Sequence, residues 1–238
     1  MPQISAYEPI YFLVGTDPEK SKFQYSFKYR FLNSDASLAK SYPWTGGLHF
    51  GYTQTSFWNL KEESLPFKDT SYKPEFFHTT TNIHSRPPWL QGFFIQSGVQ
   101  HESNGQSEEF SRSTNVLYLK PIFIFYNKES LLGLGLAPKV WLYFDNSKTG
   151  NPYLADYRGY FELEARVGLA DGFVVGSKFK WAKEGGSVQL DLTYPLHRIL
   201  SDNLSIYLHI QYVNSLAENL LNYQDRTEAL RIGFSFIR

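Results

Sequence analysis

Three side chains in the stretch VQHESNGQSEEFSRSTN, Val99 to Asn115, are of the types a serine hydrolase needs: His101, Ser103 and Asn115. Nucleophilic catalysis by serine requires a hydroxyl, a base to take its proton, and a group that holds the imidazole tautomer through the other ring nitrogen. An Asn can orient the ring without bringing a charge, which suits a position facing hydrocarbon, where a carboxylate is costly. By itself His-x-Ser is a weak motif, and Asn104-Gly105 is ordinary turn chemistry. A hydrophilic hairpin tip would read the same way, so the decision falls to the elements that carry these residues.

Those elements alternate with period two. In SKFQYSFKYRF, Phe23, Tyr25, Phe27, Tyr29 and Phe31 are aromatic while Lys22, Gln24, Ser26, Lys28 and Arg30 are polar. RGYFELEARVGL separates Phe161, Leu163, Ala165, Val167 and Leu169 from Arg158, Glu162, Glu164 and Arg166 in the same way. Such alternation is the mark of a strand with two unlike faces. It predicts about twelve strands, over 7–14, 22–32, 46–60, 74–82, 89–103, 112–126, 133–144, 158–169, 173–183, 186–195, 204–214 and 228–237. Tight turns and longer polar loops join them, with no linker or helical period between, so one domain spans 1–238, with residues 1–6 expected to lie outside the sheet.

The polar rows carry Lys28, Arg30, Glu162, Glu164, Arg166, Lys178, Lys180 and Asp191, with both signs interleaved. Charges of both signs on one face can pair inside a narrow lumen, while long apolar rows suit a lipid-facing wall. The predicted architecture is therefore all-β, a 12-stranded antiparallel transmembrane β-barrel; an even strand count brings first and last strands together and removes the edges. A soluble esterase with an inward apolar core is the competing arrangement. No run approaches the roughly eighteen apolar residues of a membrane helix. Twenty-three basic and 23 acidic residues give no net charge and no electrostatic case for nucleic acid. The absence of Cys excludes disulfides and thiol chemistry, and MPQISAYEPI lacks the basic and apolar segments of a secretion leader.

Parity then places the chemistry. His101 and Ser103 continue the row of Phe93, Ile95 and Val99, and Asn115 continues the row of Leu117, Leu119 and Phe123. If antiparallel pairing sets 101 opposite 115, all three groups meet on the outer surface, near the membrane border. On β-strand LHFGYTQTSFWNL, Gln54 is an amide in a mostly apolar outward row. A symmetry-related Gln54 would satisfy it, which points to a homodimer. His209 falls on a polar, inward row, and the remaining histidines show no metal spacing.

HESNGQSEEFSRSTN resembles the active-site signature of the outer membrane phospholipase A family of Gram-negative bacteria. YTQTSFWNLKEESLPFKDTSYKPEFF and DNSKTGNPYLADYRGYFELEARVG extend the resemblance, which runs from about Lys22 to Phe236. It implies a calcium-dependent serine hydrolase in the bacterial outer membrane that cleaves acyl esters of phospholipids and lysophospholipids (A1 and A2 type) and acts as a homodimer. Ser103 is then the nucleophile, His101 the base and Asn115 the orienter. Calcium would be held by the Ser111 hydroxyl and the Gln106 carbonyl, with Ser64 of EESLPF from a second subunit, and Glu108 with Asp145 would match a further calcium position. A non-enzymatic barrel, pore or adhesin, that keeps the hairpin only as structure is the alternative.

Overall fold

Alternation of this kind leaves a strand one choice in lipid, to pair on both edges, and the chain does so in one closed antiparallel sheet. The computed structural model describes residues 3–33, 35–64, 67–147, 149–200 and 204–238. The strands are β1 (Ile4–Ala6), β2 (Ile10–Gly15), β3 (Ser21–Arg30), β4 (Leu48–Trp58), β5 (Phe67–Thr79), β6 (Gly92–Ser103), β7 (Ser113–Tyr126), β8 (Leu132–Asn146), β9 (Phe161–Leu169), β10 (Val174–Ala182), β11 (Gly185–Pro195), β12 (Tyr207–Leu216) and β13 (Arg226–Ile237). From β3 onward each pairs with its sequence neighbours, and β13 closes the ring on β2, from Arg231 opposite Gly15 to Ile237 opposite Ile10. Two one-turn helices, α1 (Ser37–Ser41) and α2 (Leu154–Arg158), lie in connections.

Thirteen strands make twelve positions around the barrel, because β1 and β2 share one. β4 occupies one edge of β3 along its whole length, so β1 (Ile4 opposite Tyr29) must lie on the edge that β2 uses (Leu13 opposite Lys22). Residues 4–6, expected outside the barrel, thus continue its first strand. The two ladders are offset by two residues, and the intervening Tyr7-Glu8-Pro9 turns inward. Tyr7 stacks on Phe77 with ring centroids 5.0 Å apart and accepts a hydrogen bond from Gln96 Nε2 at 2.6 Å, while Glu8 reaches Lys178 at 3.6 Å.

The faces divide as the parity predicts. Leu117, Leu142, Val167, Trp181, Ile232 and Phe234 are exposed on the outside, an apolar surface far larger than a soluble barrel tolerates. The inside is ionic: Lys120 and Arg166 hold Glu164 at 3.0 and 2.7 Å, Arg158 holds Glu102 at 2.6 Å, and Lys180 lies 3.7 Å from Glu162. These charges line a cavity of about 250 Å³, and paired, hydrogen-bonded ions are the form in which charge survives burial. A small apolar cluster of Phe77, Val116, Tyr118 and Trp141 also points inward, and its Tyr118 hydroxyl donates to Glu75 at 2.5 Å.

Most strands fall where the alternation sets them, and β5 differs most. It begins at Phe67 and not near 74, because Lys68 and Thr70 stand on its outer row and Phe77 on its inner one, which blurs the pattern. β6 begins at Gly92, because the Arg86 guanidinium ties Ile83, Leu90 and Gln91 carbonyls into a loop just before it. Arg158 belongs to α2 and not to β9, which starts at Phe161.

One end of the barrel is closed by the β12–β13 connection, where Leu220 and Tyr223 pack on Leu154 and Glu218 pairs with Lys22 and Arg231 at 3.0 and 2.7 Å. Burial works to raise the Glu218 carboxyl, but these two cations outweigh it and hold the group at about 2, against an ordinary 4.5. A depressed carboxyl stabilises the fold above its unfolded pKa and ceases to do so as pH falls through the folded one. Barrel stability in detergent is therefore expected to drop between about pH 4.5 and pH 2, and the drop should be smaller in Glu218→Gln. At neutral pH, Glu218→Gln strands two buried cations and should cost about 3–5 kcal/mol in denaturant unfolding. An unchanged midpoint would show that the connection is not held by this pair.

Candidate active site

The β6–β7 hairpin opens at the same end of the barrel as that connection. Its register sets His101 opposite Asn115 and Ser103 opposite Ser113, the pairing that the parity argument requires. His101 Nδ1 and Asn115 Oδ1 are 2.8 Å apart. Both residues and Ser103 are half-buried. The next outward residues along the two strands, Val99 and Leu117, are 43% and 51% exposed, so the three polar groups sit at the edge of the apolar wall. Ser103 Oγ makes no hydrogen bond among the described residues.

Three features shape this short segment. Between His101 and Ser103, Glu102 points inward, accepts from Ser71 Oγ at 2.6 Å and pairs with Arg158 of α2. A buried, doubly bonded carboxylate pins the strand from behind, so its two neighbours must face out. Next, Asn104 is 2% exposed and organises the loop: its Nδ2 donates to Phe110 O at 2.9 Å, and its Oδ1 accepts from the Gln106 and Arg112 amides. Gly105 follows at φ 68°, and a Cβ there would lie 2.8 Å from the Tyr72 ring, so no other residue turns the chain here without strain. Finally, Lys73 and Pro74 drop out of the β5–β6 ladder opposite Glu102 and His101; Pro cannot donate to a ladder.

Asp145 reaches the same group by a bulge. Val116 is opposite Tyr143, but Asn115 is opposite Asp145, so β8 sets two residues, Phe144 and Asp145, against one. Asn115 Nδ2 donates to Asp145 Oδ2 at 3.1 Å. Asp145 is turned onto Asn115, while Glu108, at φ 53°, stands exposed with no hydrogen bond to its carboxylate among the described residues.

The remaining predicted residues divide. Gln106 and Ser111 are exposed on the β6–β7 loop, and neither the Gln106 carbonyl nor the Ser111 hydroxyl has a donor or acceptor among the described residues. Ser64 is exposed on the β4–β5 connection at the same end. Free carbonyl and hydroxyl oxygens suit a hard cation, which takes roughly six to eight oxygen ligands; two from one chain are an incomplete set. The described residues contain no cluster of three or more His, Cys, Asp or Glu able to hold a metal by themselves. Gln54 faces outward as expected, but it finds partners in its own chain: its Oε1 accepts from the Tyr52 hydroxyl at 3.1 Å, and its Nε2 donates to Ser56 Oγ at 3.3 Å. Part of the cost that a second Gln54 would relieve is already met.

The lumen contains a second serine and histidine. His209 lies 2.6 Å from Ser235 Oγ through Nδ1 and 2.8 Å from Asp191 Oδ1 through Nε2. The bonds are better formed than those around Ser103, but Ser235 has no exposed surface, and no acyl carbonyl can reach it. This trio belongs to the interior network.

The sequence model of the family described as phospholipase A1 matches residues 4–236. The chain belongs to the phospholipase A1 family. It is 31% identical over 91% of its length to the phospholipase A1 homologue of Neisseria meningitidis serogroup B, covering 54% of that protein, and 29% identical over 76% of its length to phospholipase A1 of Escherichia coli, covering 59%. It thus spans a little over half the length of these relatives. Its fold matches outer membrane phospholipase A of Escherichia coli (TM-score 0.81, 24% identity, 100% and 99% of the two chains). A second match is the Salmonella typhi outer membrane phospholipase, solved as a dimer with bound calcium (TM-score 0.78, 22% identity, 99% and 92%). The chain has the β-barrel fold of these outer-membrane proteins.

The local construction of this family member is testable at Asn104. Asn104→Ala should leave the Gln106 and Arg112 amides without their acceptor, and their hydrogen exchange should rise by about tenfold or more while the β6 amides stay protected. Equal protection in both proteins would show that the loop is ordered by other contacts.

Proposed function

We propose that the chain is an outer-membrane phospholipase that hydrolyses acyl esters of phospholipids and lysophospholipids (A1 and A2 type) with Ser103, His101 and Asn115. The observation that carries the proposal is the His101–Asn115 hydrogen bond on the outer wall, beside exposed Val99 and Leu117. A substrate whose ester lies at the boundary of hydrocarbon and water meets this wall at the height of Ser103. Membership of the phospholipase A1 family supports the same reading.

With Nδ1 engaged by Asn115, the His101 Nε2 lone pair is the one available to Ser103. Ser103 Oγ attacks the acyl carbonyl carbon as His101 takes its proton; the tetrahedral intermediate collapses, and His101 returns that proton to the departing alcohol oxygen. Water then attacks the acyl-enzyme with His101 again as base, releasing the fatty acid and restoring Ser103. Ser103 and His101 share no hydrogen bond among the described residues, and such bonds commonly tighten in a reactive complex.

Gln106 O and Ser111 Oγ are the residues that would hold calcium, with Ser64 from a second copy of the chain completing the set in a homodimer. Calcium bound there would supply positive charge beside the developing oxyanion. The Salmonella typhi structure, a dimer with calcium, supports this arrangement.

A hydrolysis assay on phospholipid in detergent micelles tests the proposal. Ser103→Ala should lower kcat by about 10⁴-fold or more, and a calcium chelator should abolish turnover of the wild type. Full activity in Ser103→Ala would end the catalytic reading; full activity in excess chelator would end the calcium reading. Ion conductance without hydrolysis would favour a pore.

A further inference from the structure

The three proposed catalytic residues leave one question of direction open. An Asn amide can present either its carbonyl or its amino group to an imidazole, and only the first leaves the base lone pair on the nitrogen that serves Ser103. We infer that Asp145 is a positioning residue that fixes the Asn115 amide and, through it, the tautomer of His101. The consequence for catalysis rests on the function proposed above; the effect on the tautomer does not.

A carboxylate only accepts hydrogen bonds, whereas an Asn side chain has both a donor and an acceptor end. Asn115 Nδ2 donates to Asp145 Oδ2 at 3.1 Å, so Oδ1 is left for His101 Nδ1, 2.8 Å away. Since Oδ1 can only accept, the proton is on Nδ1 and the lone pair on Nε2. In the reversed amide, Oδ1 would oppose a carboxylate oxygen, and the amino group would need an unprotonated Nδ1, which moves the proton to Nε2 and removes the base. Asp145 makes the first arrangement the stable one.

The backbone is built to deliver this carboxylate. Without the bulge, continuation of the ladder from Val116 opposite Tyr143 would set Phe144 against Asn115; the extra residue brings Asp145 there instead. Asp145 is also exposed, at the last turn of ladder before the β8–β9 connection. A negative charge is thus placed one side chain away from the imidazole while it remains in water and not in hydrocarbon. The uncharged orienter and the charge behind it divide between them the work that a single carboxylate would do at a dry site.

The test reads the ring directly. In ¹⁵N-histidine-labelled protein in detergent with chelator present, so that no calcium is bound, His101 is assigned by the signal lost in His101→Gln. Wild type should show the Nδ1–H tautomer. Asp145→Asn, which can face Asn115 with either end, should give a mixture or the Nε2–H form, and Asp145→Glu should restore the Nδ1–H form at least in part. In calcium, kcat should fall about 10–100-fold in Asp145→Asn with KM little changed. A wild-type tautomer in Asp145→Asn overturns the inference, whatever happens to the rate. A changed tautomer with Ser103→Ala still fully active would uphold the positioning and refute the catalytic reading.

Discussion

In hydrocarbon no water is available to satisfy backbone N–H and C=O groups, so a sheet that crosses a membrane must leave none of them at an edge. Closure of β13 on β2 meets that requirement, and the rest of the molecule follows from it. Once the ring is closed, each strand has one face toward lipid and one toward a narrow interior. The outer rows become Leu, Val, Ile and aromatic residues, and the inner rows become interlocking ions such as Lys120, Arg166 and Glu164. The interior is packed with paired charge and leaves a cavity of only about 250 Å³. The outer wall is the surface that faces hydrocarbon.

That division explains why the candidate active site is on the outside and at a strand end. His101, Ser103 and Asn115 lie on lipid-facing rows, where a polar group is tolerated only near the border. Rigidity comes from behind the wall: Glu102, between His101 and Ser103, is tied to Ser71 and Arg158, and Asn104 locks the loop that follows. The inner Ser235–His209–Asp191 trio has tighter hydrogen bonds than the outer set and no access. Hydrogen-bond geometry alone would favour the inner serine, and burial favours the outer one.

Much of this was legible in the sequence because a period of two is unambiguous when both faces have a strict chemistry. SKFQYSFKYRF gives β3 and its faces directly, and parity sets His101, Ser103 and Asn115 outward before any pairing is known. What was not legible comes from interruptions of that period. The inward turn at Tyr7-Glu8-Pro9 splits the first strand, so residues 4–6 read as a tail although they pair with β3. β5 hides its start because inner Phe77 and outer Thr70 contradict the alternation. The bulge at Phe144-Asp145 adds one residue to β8, and counting from either end cannot show which carboxylate it brings to Asn115. Gln54 was legible as an outward amide, but its bonds to Tyr52 and Ser56 depend on neighbours two residues away on the same face.

The proposed reactive serine is on the lipid-facing wall and not within the lumen. A fluorophosphonate reagent, which bonds covalently only to an activated serine, tests this on the purified barrel in detergent with calcium, with the modified peptide located by mass spectrometry. The expected result is a single adduct on Ser103, lost in Ser103→Ala and in His101→Gln. An adduct on Ser235, or none on any serine of the calcium-loaded protein, would rule out a lipid-facing nucleophile at Ser103.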